Sequence, residues 1–225
     1  MSTRDDISEM YRYPGVRNAM LAEAAELATT TFGALDKYVA ANDNVPPRIG
    51  DFMQTFTGRK YWPMDPRPHE IYIEDIAHSL SLQCRYAGHC IKFYSVAEHS
   101  VLIARHLAET RAPEVALAGL LHDAPEAYCV DIPRPLKPYL TNYRAIEQDN
   151  WLAIAARFGL PKELPREVHD ADNRIIADEL VNLRQMPWHA RHDKPLGVKL
   201  RYWSPEEAEE EFMATFVALM AGRVA

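Results

Sequence analysis

Apolar positions along this chain recur every three to four residues, a spacing that predicts helices rather than strands. Residues 18–41 are Ala-rich, with Met20, Leu21, Ala24, Leu27 and Ala28 at helical spacing, and the run is broken at 42–47 by Asn-Asp-Asn-Val-Pro-Pro. Residues 1–48 are therefore expected to form an N-terminal helical extension, packed on the rest of the chain or on a partner subunit. Residues 52–69, with Gly58, Pro63, Pro66 and Pro68, read as irregular or short extended structure. A helix is predicted over 74–86, with Ile76, Ala77, Leu80 and Cys84 on one side, Arg85 in its last turn and Gly88 stopping it. Ser95-Val96-Ala97-Glu98 reads as a capping box opening a helix that carries Val96, His99, Leu102, Ile103, His106 and Leu107. His99 falls on its inward stripe.

The segment around which the others are arranged is 115–121, apolar at every angle of a helical wheel and so buried on all sides if helical. Pro113 suits its start, and Pro125 must end or bend it just past His122-Asp123. An imidazole and a carboxylate at the end of such a helix are costly to bury without a partner, and a cation is the simplest one. Residues 131–138 are too proline-rich for regular structure. Amphipathic helices are predicted over 142–158, with Tyr143, Ile146, Trp151, Ile154 and Phe158, and over 166–184. A loop is expected over 186–197, then a last helix over 205–221 whose acidic start, Glu206-Glu207, suits the helix dipole. The fold class expected is all-α.

His-Asp occurs three times, and context separates the copies. His192-Asp193 lies in a polar loop. In the helix over 166–184 the apolar stripe runs Val168, Asp172, Ile175, Ile176, Leu180 and Leu183, so Asp172 points inward while His169 and Asp170 fall to the sides. Three helices thus each present an inward polar group: His99, the pair His122-Asp123, and Asp172. Two imidazoles and two carboxylates suit one divalent transition metal, Mn, Co, Fe or Zn, which can activate water as a nucleophile.

Composition narrows the partners. The 225 residues suffice for one main domain, expected over 49–225. No apolar run approaches the ~20 residues that cross a bilayer. Residues 1–6 (Met-Ser-Thr-Arg-Asp-Asp) are acidic rather than a basic leader, and a cytoplasmic location is expected. Cys84, Cys90 and Cys129 lack the spacing of a zinc site or a disulfide framework, which fits a reducing compartment. A net charge of −7 argues against binding a nucleic acid polymer but is compatible with one small anionic ligand.

The order His99, His122-Asp123, Asp172 resembles the HD-domain metal-dependent phosphohydrolases. The likeness extends to Ser95-Val96-Ala97-Glu98-His99-Ser100, His122-Asp123-Ala124-Pro125-Glu126-Ala127, Asp131-Ile132-Pro133-Arg134-Pro135-Leu136-Lys137 and Ala171-Asp172, which are similar to the 5'-deoxynucleotidase branch. Arg85-Tyr86 stands where that branch carries an Arg and an aromatic residue contacting the nucleotide. The resemblance covers roughly residues 50–185, and Pro125 departs from the small residue more usual there. It implies an all-α HD-domain helical bundle, a homodimer, and a metal held by His99, His122, Asp123 and Asp172. It further implies Glu126 or Asp131 as proton carriers, Arg85 and Lys137 on the phosphate, and Tyr86, Trp62 or Tyr94 against a base. The activity implied is release of phosphate from deoxynucleoside 5'-monophosphates. Alternatives are a deoxynucleoside triphosphate triphosphohydrolase, alarmone hydrolysis, or a non-catalytic nucleotide- or metal-binding protein. Only Arg59, Lys60, Arg85, Arg134 and Lys137 stand where they can compensate phosphate charge, too few to suit a triphosphate.

Overall fold

The computed structural model describes residues 46–223, and within them helices alternate with turns in nearly the predicted order. The helix predicted over 18–41 lies outside the described residues. A short hairpin comes first: β1 (Met53–Gln54) pairs antiparallel with β2 (Lys60–Tyr61), Met53 opposite Tyr61. Seven helices follow among the described residues: α1 (Ile73–Leu82), α2 (Val96–Ala108), α3 (Pro113–Leu121), α4 (Glu126–Cys129), α5 (Tyr143–Phe158), α6 (Arg166–Glu179) and α7 (Pro205–Gly222). The fold is all-α apart from that hairpin. None of these helices is long and apolar enough to cross a membrane.

The core is built around α2 and α3. Residues Ala116 through Leu121 are all buried, as a segment apolar on every side requires. Gly119 allows this close approach, because a Cβ there would meet Leu107 Cδ1 at 2.7 Å and Ile103 Cγ2 at 3.3 Å. Helix α7 packs on α1, α2 and α3, while α6 packs on α2 and α3 from another side. Pro125 acts as predicted: α3 stops at Leu121, residues 122–125 form a turn, and α4 begins at Glu126.

Two local expectations are corrected. Helix α1 ends at Leu82, not at 86, because the chain turns into a ladder with the segment before α2. Cys84 bridges Ser95, Arg85 N–H donates to Tyr94 O (2.9 Å) and Val96 N–H to Gln83 O (3.0 Å). Cys84 and Arg85 therefore lie beyond the helix. The second correction concerns 95–98. Ser95 Oγ does accept from Glu98 N–H at 3.0 Å, but the Glu98 side chain does not reach back to the cap. It is fully buried and accepts from the backbone N–H groups of Arg201, Tyr202 and Trp203 at 2.6, 3.0 and 2.9 Å. A complete capping box forms instead at Ser204 and Glu207, opening α7.

Glu98 thus anchors the approach to α7 on the helix that carries His99. Replacing it with Ala strands three amide donors. Glu98→Ala is expected to lower stability by roughly 2–4 kcal/mol, read by urea unfolding; a loss within experimental error would contradict the anchoring role.

Candidate metal centre

His99 is fully buried, and a contact at Nδ1 fixes how its ring is turned. Nδ1 lies 2.7 Å from Glu179 Oε1, a carboxylate oxygen that only accepts, so Nδ1 carries the proton and donates. The lone pair is then on Nε2. His122 repeats the arrangement at the end of α3: Nδ1 donates to Gly119 O at 2.8 Å, which turns Nε2 towards the same space. Neither Nε2 has a hydrogen-bond partner, though both are buried.

Those two nitrogens and Asp172 lie within 4.8 Å of one another and can hold a metal ion. Asp172 Oδ1 is 3.3 Å from His99 Nε2 and 3.9 Å from His122 Nε2. Asp123 joins them from the turn after α3, its Oδ2 3.6 Å from His99 Nε2 and 3.2 Å from His122 Nε2. The residues fit a cation: two buried ring nitrogens without hydrogen-bond partners converge beside carboxylates, and each ring is held from behind by an oxygen acceptor, as in metal sites generally. Helices α2 and α6 and the turn after α3 bring these side chains together.

The electrostatics follow from burial and neighbours. Burial alone would raise the carboxyl pKa values of Asp123 and Asp172, but His122 and His99 outweigh it and hold both well below the usual range. Burial likewise disfavours a charged His122, yet Asp123 and Asp172 hold its imidazole pKa well above the ordinary value.

Sequence reasoning missed Glu179. It is buried, and despite that burial the Arg85 and His99 charges lower its pKa to about 2. Besides His99 it accepts from the Tyr86 phenol, and Arg85 Nε stands 3.5 Å away. The signal was available: Glu179 follows Asp172 by seven residues, two helical turns, and so shares its face. Gln83 was also missed. Its side chain donates to Glu126 O (3.0 Å) and accepts from Asp131 N–H (3.0 Å), joining the backbones of the two candidate proton carriers.

The other predicted residues take these places. Arg85 NH1 is 3.5 Å from Asp123 Oδ2, so Arg85 and Tyr86 both line the cluster and both engage Glu179. Glu126 is buried, with Oε1 3.4 Å from Lys137 Nζ and Oε2 without a hydrogen-bond partner. Lys137 also donates to Glu147 at 2.9 Å, so its charge is shared between two carboxylates. Arg134, exposed on the 131–138 loop, donates to Asp172 Oδ2 at 2.9 Å and to Asn173. Of the candidate stacking rings, Tyr94 is fully buried, and Trp62 packs against Phe52 beneath the Arg48 guanidinium.

Fold and cluster together define a helical protein with a His/Asp site able to hold a metal ion. No family model matches the chain. It is 41% identical to the uncharacterized protein YfdR of Escherichia coli K12, over 57% of this chain and 70% of that protein. It is 32% identical to the uncharacterized protein RCAP_rcc00048 of Rhodobacter capsulatus, over 75% of this chain and 95% of that protein. The chain belongs to the family of these two bacterial proteins.

Glu179→Gln keeps the shape behind His99 but removes the charge. It is expected to weaken divalent-metal binding by about 10–100-fold, measured by titration calorimetry; unchanged affinity would contradict the supporting role. The pH dependence has a definite sign. His122 is raised, so its proton stabilises the metal-free fold fully below the unfolded imidazole value, about 6.5, and that contribution is lost as pH rises through the folded value. Chelator-treated protein should therefore lose stability as pH is raised through that window. A metal must displace the same proton, so metal affinity should fall by up to about tenfold per unit as pH is lowered. A flat affinity profile would contradict this.

Proposed function

We propose that this protein is a metal-dependent phosphohydrolase acting on nucleotides, releasing phosphate from deoxynucleoside 5'-monophosphates. The observation that carries the reading is the convergence of two buried, unpartnered imidazole nitrogens with Asp172 and Asp123. Nitrogen and carboxylate donors suit Mn, Fe, Co or Zn. Such an ion supplies Lewis acidity, both activating water at neutral pH and offsetting charge on a phosphoryl group.

The chain's own carboxyl groups divide into two sets. Asp123 and Asp172 are held ionised beside the imidazoles and serve as ligands. Burial together with the Asp123 and Asp131 charges pushes the Glu126 pKa well above its usual range, and burial raises Asp131 as well. Environments that drive acids apart in this way mark out which are proton carriers. Hydrolysis of a phosphomonoester needs one proton removed from the attacking water and one delivered to the leaving 5'-oxygen. Glu126 and Asp131, whose backbones are tied through Gln83, are suited to those transfers.

The cation supply favours a monophosphate. The Arg59 guanidinium lies over the Tyr72 ring at 3.8 Å, Lys60 Nζ lies 4.4 Å from the Phe52 ring centroid, and Lys137 is engaged by Glu126 and Glu147. Arg85 and Arg134 stand against the metal-binding carboxylates. Two guanidiniums match the charge of one phosphoryl group better than three.

Chelator-stripped protein supplied with Mn or Co and a nucleotide panel tests the reading. Orthophosphate from deoxynucleoside monophosphates is expected; triphosphate release would assign the triphosphohydrolase reaction instead, and silence by metal-loaded protein would overturn both. Glu126→Gln is expected to lower kcat by about 10²–10⁴-fold while the metal still binds; wild-type kcat in that variant would remove Glu126 from the mechanism.

A further inference from the structure

The three cysteines show no paired spacing in the sequence, yet two of them meet. Cys84 Sγ and Cys90 Sγ are 3.4 Å apart, both are free thiols, and both are half-buried. The segments that carry them are pinned from both sides. Cys84 bridges Ser95, and the next residue donates to Tyr94 O. Just past Cys90, Ile91 N–H donates to Asn182 O and Lys92 N–H to Asn182 Oδ1, each at 2.8 Å. Between the thiols the chain makes a tight turn in which Tyr86, Ala87 and Gly88 have φ of 57°, 51° and 79°. Three successive residues in the left-handed region, two of them not glycine, fold the chain back so that the sulfurs face each other. The sulfurs need approach by only about 1.4 Å to reach the ~2.05 Å of a disulfide.

We propose that Cys84 and Cys90 form a reversible intramolecular disulfide, a thiol-redox modification site that closes the turn bearing Arg85 and Tyr86. The oxidant is a small-molecule disulfide. One cysteine loses its proton and its thiolate attacks a sulfur of the oxidant, forming a mixed disulfide and expelling a small thiolate. The second cysteine, deprotonated in turn, attacks the protein sulfur of that mixed disulfide, forming the Cys84–Cys90 bond and expelling the other small thiolate. The two protons pass to the leaving thiolates, the protein dithiol is oxidised by two electrons, and the small disulfide is reduced to two thiols.

Burial and the adjoining Cys84 thiol push the Cys90 pKa up to about 11. Cys90 therefore rests as a thiol near neutral pH, and its part in the exchange quickens as pH rises. The location gives the bond a structural reach. Arg85 and Tyr86 are two of the groups engaging Glu179, which in turn holds His99. A disulfide in a reducing compartment is expected to be transient rather than structural.

The full-length protein is equilibrated in glutathione buffers of graded oxidation, quenched with an alkylating reagent, counted for free thiols after unfolding, and digested with trypsin. Trypsin cuts after Arg85, between the two cysteines, so the disulfide leaves two peptides joined and lighter by two hydrogens. Loss of two of the three thiols, a linked Cys84–Cys90 peptide pair and its reversal by reduced glutathione are expected. Cys84→Ser or Cys90→Ser should abolish the linked pair while Cys129 stays titratable. Three thiols persisting at the most oxidising ratio, linkage through Cys129 or to a second chain, or glutathione adducts without the internal bond would each overturn the proposal.

Discussion

Two buried imidazole nitrogens turned towards a pair of carboxylates, neither with a hydrogen-bond partner, set the constraint that governs the centre of the molecule. Each ring is held from behind, His99 by Glu179 and His122 by Gly119 O, so that Nε2 faces inward in both. The unsatisfied nitrogens then sit beside Asp123 and Asp172, where negative charge accumulates. A metal ion that displaces the His122 proton would satisfy both nitrogens and neutralise the carboxylates at once.

The fold is arranged to hold that deficit open. From Ala116 to Leu121 helix α3 is buried all round, and its closeness to α2 at Gly119 brings the ends carrying His122 and His99 together. The turn imposed by Pro125 exposes Asp123 to the same space without continuing the helix. Helix α6 grips His99 from both sides, with Asp172 before Nε2 and Glu179, two turns later, behind Nδ1. Glu179 is a buried charge that persists because Arg85, Tyr86 and His99 all meet it. The irregular turn at 85–88 follows from that demand, since it places the arginine and the phenol on one carboxylate.

The His/Asp cluster was legible in part because two of its members interrupt otherwise apolar stripes, and periodicity reports a stripe reliably wherever burial is one-sided. His99 and Asp172 are found that way; His122-Asp123 is found because a helix buried all round must account for a polar end. Tertiary contacts account for what was missed. The end of α1 was placed four residues too late because nothing in Cys84-Arg85-Tyr86 opposes a helix; the competing ladder with Tyr94 and Ser95 comes from a separate segment. The Glu98 carboxylate left its cap for three amides more than a hundred residues away, a choice made by the approach to α7. Glu179 was legible by spacing from Asp172 but concealed by its charge, since an acid near a helix end reads as exposed. The Cys84–Cys90 contact depends on left-handed residues that no propensity favours at Tyr86 and Ala87.

Anomalous diffraction from crystals grown with Mn²⁺ tests the central claim most directly. The account requires one strong peak bonded to His99 Nε2, His122 Nε2 and an Asp172 oxygen, with both Nδ1 hydrogen bonds intact. A cluster without a peak at saturating Mn²⁺, or a peak bound elsewhere while the two imidazoles turn their Nε2 atoms to protein acceptors, would contradict it.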